Sequence, residues 1–481
     1  MKDIVNRVLG RASGKNVTYA DVRVVDREAE AIVVKNGNIE IISSSRDQGF
    51  GIRVLLDGAW GFASSSRLDR RELEETTDLA IKIARTSSLV RGEKVILSPI
   101  EVVKDVYKTK FVKDPFEVSL DEKVRLLLEA DRIMRKYKEI KVSEGSLDFF
   151  REKKTFASTE GSYIEQERIE SGGGIVATAV KDDEVQVRSY PGNFGGDFAT
   201  RGYEFIESLG IVKNADRVAN EACLLLKAGS CPDKVTTIIL DAGQLALQVH
   251  ESIGHPIELD RVFGTEASYA GTSFLTLDKL NNLKYGSEIV NVSADATLEG
   301  GLGSFAYDDE GVRAQRTPII KDGLFVGYLT SRETASKLNR TSNGTMRADG
   351  WNRIPLIRMT NINLDPGEWT LEEMIADTKE GIYMETNKSW SIDNKRLNFQ
   401  FGTEIAREIK DGKLGEILKN PTYTGITPEF WNSCDAIANK DYWHIWGIPN
   451  CGKGQPGQSA HVGHGTSPAR FRNVRIGIAQ C

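Results

Sequence analysis

Two imidazoles and a carboxylate stand close together in HESIGHP: His250, Glu251 and His255. Imidazole nitrogens bind transition metals, and a neighbouring carboxylate can act as a general base, so these are the residue types of a hydrolytic metal site. In the familiar HExxH signature the histidines are four apart, about 40° around a helix axis. Here they are five apart, about 140° in an unbroken α-helix, too far for one ion. Two local features can correct this. Gly254 suits a left-handed helix stop and Pro256 biases His255 away from helical geometry, so His255 can fold back over the last turn. A π-bulge inside the helix would serve the same purpose. The bland reading makes His250 a polar helix position and His255 a loop residue.

A second string, NCGKGQPGQSAHVGHG, lies near the C-terminus. Cys451 is followed by Gly452, Gly454 and Gly457, a loop in which backbone can approach another group closely. A thiolate is a good zinc ligand, and with two imidazoles it leaves a fourth tetrahedral position open, the pattern of a catalytic site. The commoner fate of a cysteine is a buried free thiol. His461 and His464 are further candidate ligands, although HVGH in a Gly/Ser loop is more often a surface or packing feature. No GxxxxGK[ST] pattern is present, so nucleotide binding is not expected.

The elements that must position these residues follow from patterning. Leu245, Val249 and Ile253 recur every four residues, which predicts a helix from about Gly243 to Ile253 with that face buried. Upstream, hairpins are expected at Asn36-Gly37 and Asp57-Gly58. A helix opens at Asp69 with Leu79, Ala80, Ile83 and Ala84 on its apolar face. Ser119 and Glu122 cap a second helix, followed by strands in KKTFASTEG, SYIEQERIE, GGGIVATAV and DEVQVRSY and a helix through Ala215, Val218, Ala222 and Leu225. The order helix, hairpins, helix thus recurs, a hint of duplication. After Val235 the texture is Gly-rich and mostly β, with a hairpin at Asp322-Gly323. The fold class expected is α+β: two α/β antiparallel N-terminal regions, 1–90 and 91–230, then a large, mostly antiparallel β domain, 231–481, carrying a short metal-binding helix.

Composition narrows the function classes. The 481 residues hold 63 Lys+Arg against 69 Asp+Glu, a net charge of −6, which argues against direct nucleic-acid binding. No run approaches the length of a transmembrane helix, so no membrane partner is expected. The N-terminus lacks the apolar core of a signal peptide, and a cytoplasmic location is expected. Five cysteines without a CxxC pair make a disulfide framework or a zinc ribbon poor readings.

Together the two strings resemble the TldD/PmbA (modulator of DNA gyrase) family of metallopeptidases. The family's HExxxH is here His250 to His255, and its Cys-Gly-Lys segment is Cys451-Gly452-Lys453-Gly454-Gln455. RVLLDGAWGFASS, ASTEGSYIEQ, GLFVGYLTSRETA and RMTNINLDPG also look like the family, so the resemblance covers nearly the whole chain. It implies one zinc per chain on His250, His255 and Cys451, with Glu251 as general base. It further implies cleavage of unfolded peptides in an internal cleft, by a homodimer or a heterodimer with a homologous non-catalytic subunit. Keeping HExxxH marks the catalytic type. The rival is a non-enzymatic, dimer-forming partner with a structural metal, closed by a fourth protein ligand such as His464 or Glu258.

Overall fold

The computed structural model describes residues 1–478 apart from 15, 91, 455 and 456; Gln455 of the C-terminal loop and Cys481 lie outside the described residues. The chain is mixed α and β with strand predominating.

The first region comprises α1 (Lys2–Ala12), β1 (Val17–Lys35), β2 (Asn38–Leu56), β3 (Ala59–Ser65) and α2 (Arg70–Ser87). Asn36-Gly37 and Asp57-Gly58 all take positive φ, the backbone that tight hairpins need. The second comprises β4 (Lys104–Lys108), α3 (Leu120–Met134), β5 (Ile140–Ser158), β6 (Tyr163–Lys181), β7 (Glu184–Tyr190), β8 (Asp197–Ala199), α4 (Glu204–Leu209) and α5 (Ile211–Leu225). Each region has two strands of 19 residues followed by one of 7, so the recurrence seen in the sequence extends to strand length. Strands β1 and β5 pair from Asp21–Ser158 to Lys35–Glu144, which merges both regions into one sheet ordered β3-β2-β1-β5-β6-β4.

Two local expectations change. Leu79 and Ile83 of α2 are exposed, and the buried face is Leu73, Ala80, Ile81 and Ala84. A side chain at Gly61 would stand 2.1 Å from Ala80 O, so the helix lies tight on the strand through small residues and its larger ones turn outward. SYIEQERIE and GGGIVATAV are one strand, because Gly172–Gly174 let β8 and the loop before it pack on the middle of β6.

In the last region, strands Glu380–Ile392, Lys234–Leu240, Ala469–Ile478, Pro421–Ile426 and Asn398–Lys410 pair in that order, and the last pairs back with the first. The sheet is therefore a closed ring. Its joins are antiparallel except that between Lys234–Leu240 and Glu380–Ile392. Register shifts at Thr236/Ile238 and Asn387/Ser389 supply the extra coiling that closure requires. Ile238, Leu240, Ile382, Met384, Phe401, Tyr423 and Phe471 of the ring share one core with Leu245, Val249 and Ile253. This region docks on the N-terminal sheet through buried ion pairs: Arg53 with Glu310 (3.3 Å) and both Arg23 (3.7 Å) and Lys154 (2.6 Å) with Asp309. Among the described residues no helix is long and apolar enough to cross a membrane.

Candidate metal centre

Asp241 follows the strand Lys234–Leu240 and caps the helix α6 (Ala242–Val249), its carboxylate accepting from Gly243 N at 3.2 Å and Gln244 N at 2.9 Å. The helix does not stop at His250. It widens into a π turn, His250–Gly254, closed by His255 N–H donating to His250 O at 3.2 Å. In an i→i+5 turn the sixth residue stands over the first, so the two imidazoles face the same way and meet edge to face at 4.9 Å. Of the two local solutions, the π-bulge is the one that forms. Gly254 is not left-handed and His255 is helical, at φ −68° and ψ −42°. The bond to His250 O outweighs the bias from Pro256. Glycine is required at 254 for another reason: a Cβ there would lie 2.3 Å from Met359 Sδ.

Cys451 arrives on the strand His444–Lys453, which forms a hairpin with Gln458–Thr466. Ligand atoms of His250, His255 and Cys451 all lie within 4.8 Å of one another, and all three residues are buried. The Cys451 Sγ is 3.8 Å from His255 Nε2. Burial works to raise the Cys451 thiol, but His255 in its protonated form and Arg358 outweigh it and hold the group below its ordinary value.

A second layer orients these groups. A carbonyl can only accept, so His464 donates from Nδ1 to Ile362 O (3.2 Å) and presents a lone pair at Nε2. Burial, helped by the neighbouring His250, holds His464 neutral, far below the usual imidazole range. His250 therefore donates from Nδ1 to His464 Nε2 at 2.8 Å and keeps its own Nε2 lone pair free. Burial likewise brings the His250 pKa down to about 4, which keeps the ring neutral. His255 donates from Nδ1 to Glu258 Oε2 at 3.2 Å, leaving its Nε2 free beside Cys451. Glu258 is held in turn by Lys453 at 3.4 Å. Burial would raise Glu258, but Lys453 and His255 bring it to about 2. The two residues that could have closed the site as a fourth ligand, His464 and Glu258, thus stand behind the imidazoles. His461 is elsewhere: its Nδ1 meets Glu170 Oε2 of β6 at 2.5 Å and its ring packs on Phe150 of β5.

With both imidazoles neutral and the Cys451 thiol deprotonated, as metal binding requires, these groups form a donor set that fits a divalent metal ion with one position open. Glu251 lies on the same π turn, buried, with Arg396 Nη1 bonded to its Oε2. Burial raises the Glu251 carboxyl, but His255 and Arg396 outweigh it and keep the group below its usual value, ionised. Arg396 and His255 line one cavity of about 490 Å³. It shares Asp349 and Ser459 with a second cavity of about 300 Å³ between the N-terminal sheet and the C-terminal hairpin. Arg396, Arg358 and Lys453 carry no sequence signal, since each acts across a long-range contact, whereas Glu258 reaches His255 from three residues along the chain.

Comparison with known proteins agrees with this architecture. The PmbA/TldA metallopeptidase models match in order: domain 1 over residues 20–84, the central domain over 113–226 and the C-terminal domain over 233–477. A metalloprotease of Methanocaldococcus jannaschii is 34% identical, the match spanning 93% of this chain and 94% of that protein. A zinc metalloprotease TldD homolog of Saccharolobus solfataricus is 24% identical over 98% of this chain and 99% of its own length. The crystal structure of TldE from Thermococcus kodakarensis has the same fold, with a TM-score of 0.75 at 17% identity, covering 98% of this chain and 100% of that one. By the matches along its whole length, the chain belongs to the PmbA/TldA metallopeptidase family.

Proposed function

We propose that this chain is a zinc-dependent peptidase acting on unfolded peptides, with His250, His255 and Cys451 holding the ion and Glu251 moving the proton. The observation that carries the reading is the convergence of two oriented imidazoles and a thiol beside a buried, ionised glutamate at a cavity. Two neutral imidazoles and a thiolate with an open fourth position suit zinc, and the Saccharolobus relative bears zinc in its name. When bound, zinc supplies Lewis acidity, polarising the scissile carbonyl and making a water acidic near neutral pH. Glu251 accepts the water's proton on its carboxylate and returns it to the amine nitrogen as the C–N bond breaks. The two cavities, which share Asp349 and Ser459 in their linings, are each far too small for a folded domain. A dimer, of the chain with itself or with a homologous subunit, belongs to the same reading, and solution mass measurement tests it.

Elemental analysis should find about one zinc per chain. A chelator should abolish cleavage of an unstructured peptide library and added zinc should restore it; cleavage that survives complete metal removal overturns the reading. His464→Leu deletes the acceptor that fixes the His250 tautomer. It should weaken zinc binding by about 10–100-fold in a competition titration, and an unchanged affinity would mean that this hydrogen bond does not orient a ligand.

A further inference from the structure

We propose that Arg396 is a catalytic residue of this site, its guanidinium receiving the oxygen of the scissile carbonyl as that oxygen gains negative charge. The inference rests on the peptidase reading above.

Arg396 is held against Glu251 by a tightly hydrogen-bonded turn. It lies between the ring strands Glu380–Ile392 and Asn398–Lys410, where the Asp393 carboxylate accepts from Lys395 N (3.0 Å), Leu397 N (2.9 Å), Asn398 N (3.1 Å) and Asn398 Nδ2 (2.6 Å). Lys395 O accepts from Phe274 N at 2.9 Å, and Arg396 O from Thr427 Oγ1 at 3.0 Å. Arg396 itself takes φ +65°, a left-handed backbone that side-chain-bearing residues adopt rarely and that is held here from both sides. The guanidinium is therefore pre-positioned. One Nη binds Glu251, while its Nε, buried, has no hydrogen-bond partner among the described residues. The cavity it lines is the one lined by His255. A permanent cation on a general base only weakens that base unless its charge is used elsewhere in the cycle.

The charge bookkeeping of the reaction supplies that use. Water's oxygen bonds to the carbonyl carbon, the C=O π pair moves onto the carbonyl oxygen, and the water's proton goes to Glu251. Glu251 thus loses a negative charge in the step in which the carbonyl oxygen gains one. Attacking oxygen and carbon are roughly 3 Å apart at the start, so the new anion forms within reach of the donors that Arg396 does not spend on Glu251. When the intermediate collapses, the pair returns to C=O and the C–N pair leaves with nitrogen. Glu251 then protonates the nitrogen and regains its ion pair with Arg396.

The test compares the zinc-loaded wild type with Arg396→Ala and Arg396→Lys, reading peptide turnover, zinc content and affinity for a phosphinic peptide, whose tetrahedral anion mimics the charged oxygen. Turnover should fall by about 10²–10³-fold with KM moving far less and zinc retained. Methylguanidine should partly rescue Arg396→Ala. In the Glu251→Gln background no carboxylate is left to orient, and there Arg396→Ala should still weaken phosphinic peptide binding by about 10-fold or more. Turnover within a few-fold of wild type, or unchanged phosphinic peptide affinity in the Glu251→Gln background, overturns the proposal. A wild type that holds zinc and cleaves no peptide refutes the peptidase reading and this inference with it; a cleaving wild type beside an unimpaired Arg396→Ala refutes Arg396 alone.

Discussion

Replacing Glu251 with Gln is expected to cut peptide turnover by about 10²–10⁴-fold while the chain still binds one zinc. The amide has the size of the carboxylate and can still accept a hydrogen bond from Arg396, so the π turn and its packing should survive. What it cannot do is take a proton from water at neutral pH. Glu251 is not among the three groups whose ligand atoms converge, so metal content should not change. The pairing of lost turnover with retained zinc separates a general base from a ligand, since removing a ligand would lower both. Steady-state kinetics with metal analysis on the same preparation decides it, and full turnover in Glu251→Gln would sink the mechanism.

The second large effect is on stability. Lys453 is almost fully buried, with its Nζ 2.7 Å from Asp260, 3.4 Å from Glu258 and 3.7 Å from Glu266. It also donates to Ile357 O at 2.7 Å. Burial acts to lower its pKa, yet the three carboxylates outweigh this and raise it. Lys453→Met would leave three buried carboxylates around an apolar side chain. Breaking such a cluster by deleting one partner costs about 3–5 kcal/mol, read as a lower denaturant midpoint. Glu258 would also lose the cation that anchors it behind His255, so zinc affinity should drop together with stability. Adding Asp260→Asn removes one orphaned charge and should restore part of the loss, a coupling that a double-mutant cycle measures. A destabilisation below about 1 kcal/mol would mean that these carboxylates are relieved by protonation or by water. Lys453 lies two residues after Cys451 and Glu258 three after His255, so this one ion cluster ties together the two strands of chain that make the site.

Much of the site's local part was legible without coordinates. The residue types and five-residue spacing of HESIGH restrict the backbone to a few solutions, one of them a π turn, because the geometry of one helical turn depends only on neighbouring residues. The same holds for the tight turns at Asn36-Gly37, Asp57-Gly58 and Asp322-Gly323, where positive φ is a property of the dipeptide. Periodicity fared less well on α2: it marks apolar residues but not how close a strand lies. A glycine on the facing strand, Gly61, turned the helix onto its alanines. Whether Cys451 reaches His255, which nitrogen of His250 is free, and what faces Glu251 depend on contacts spanning from 145 to 214 residues. Those contacts exist because five strands close into a ring and a hairpin docks against it. By itself, then, the sequence determined the chemical groups and the family, and narrowed their local turn to a few solutions among which the structure chose the π turn. Only the tertiary structure decided the His464 support, the Lys453 cluster that anchors Glu258 and the Arg396 clamp, because burial and pairing between distant segments, not local propensity, set those positions.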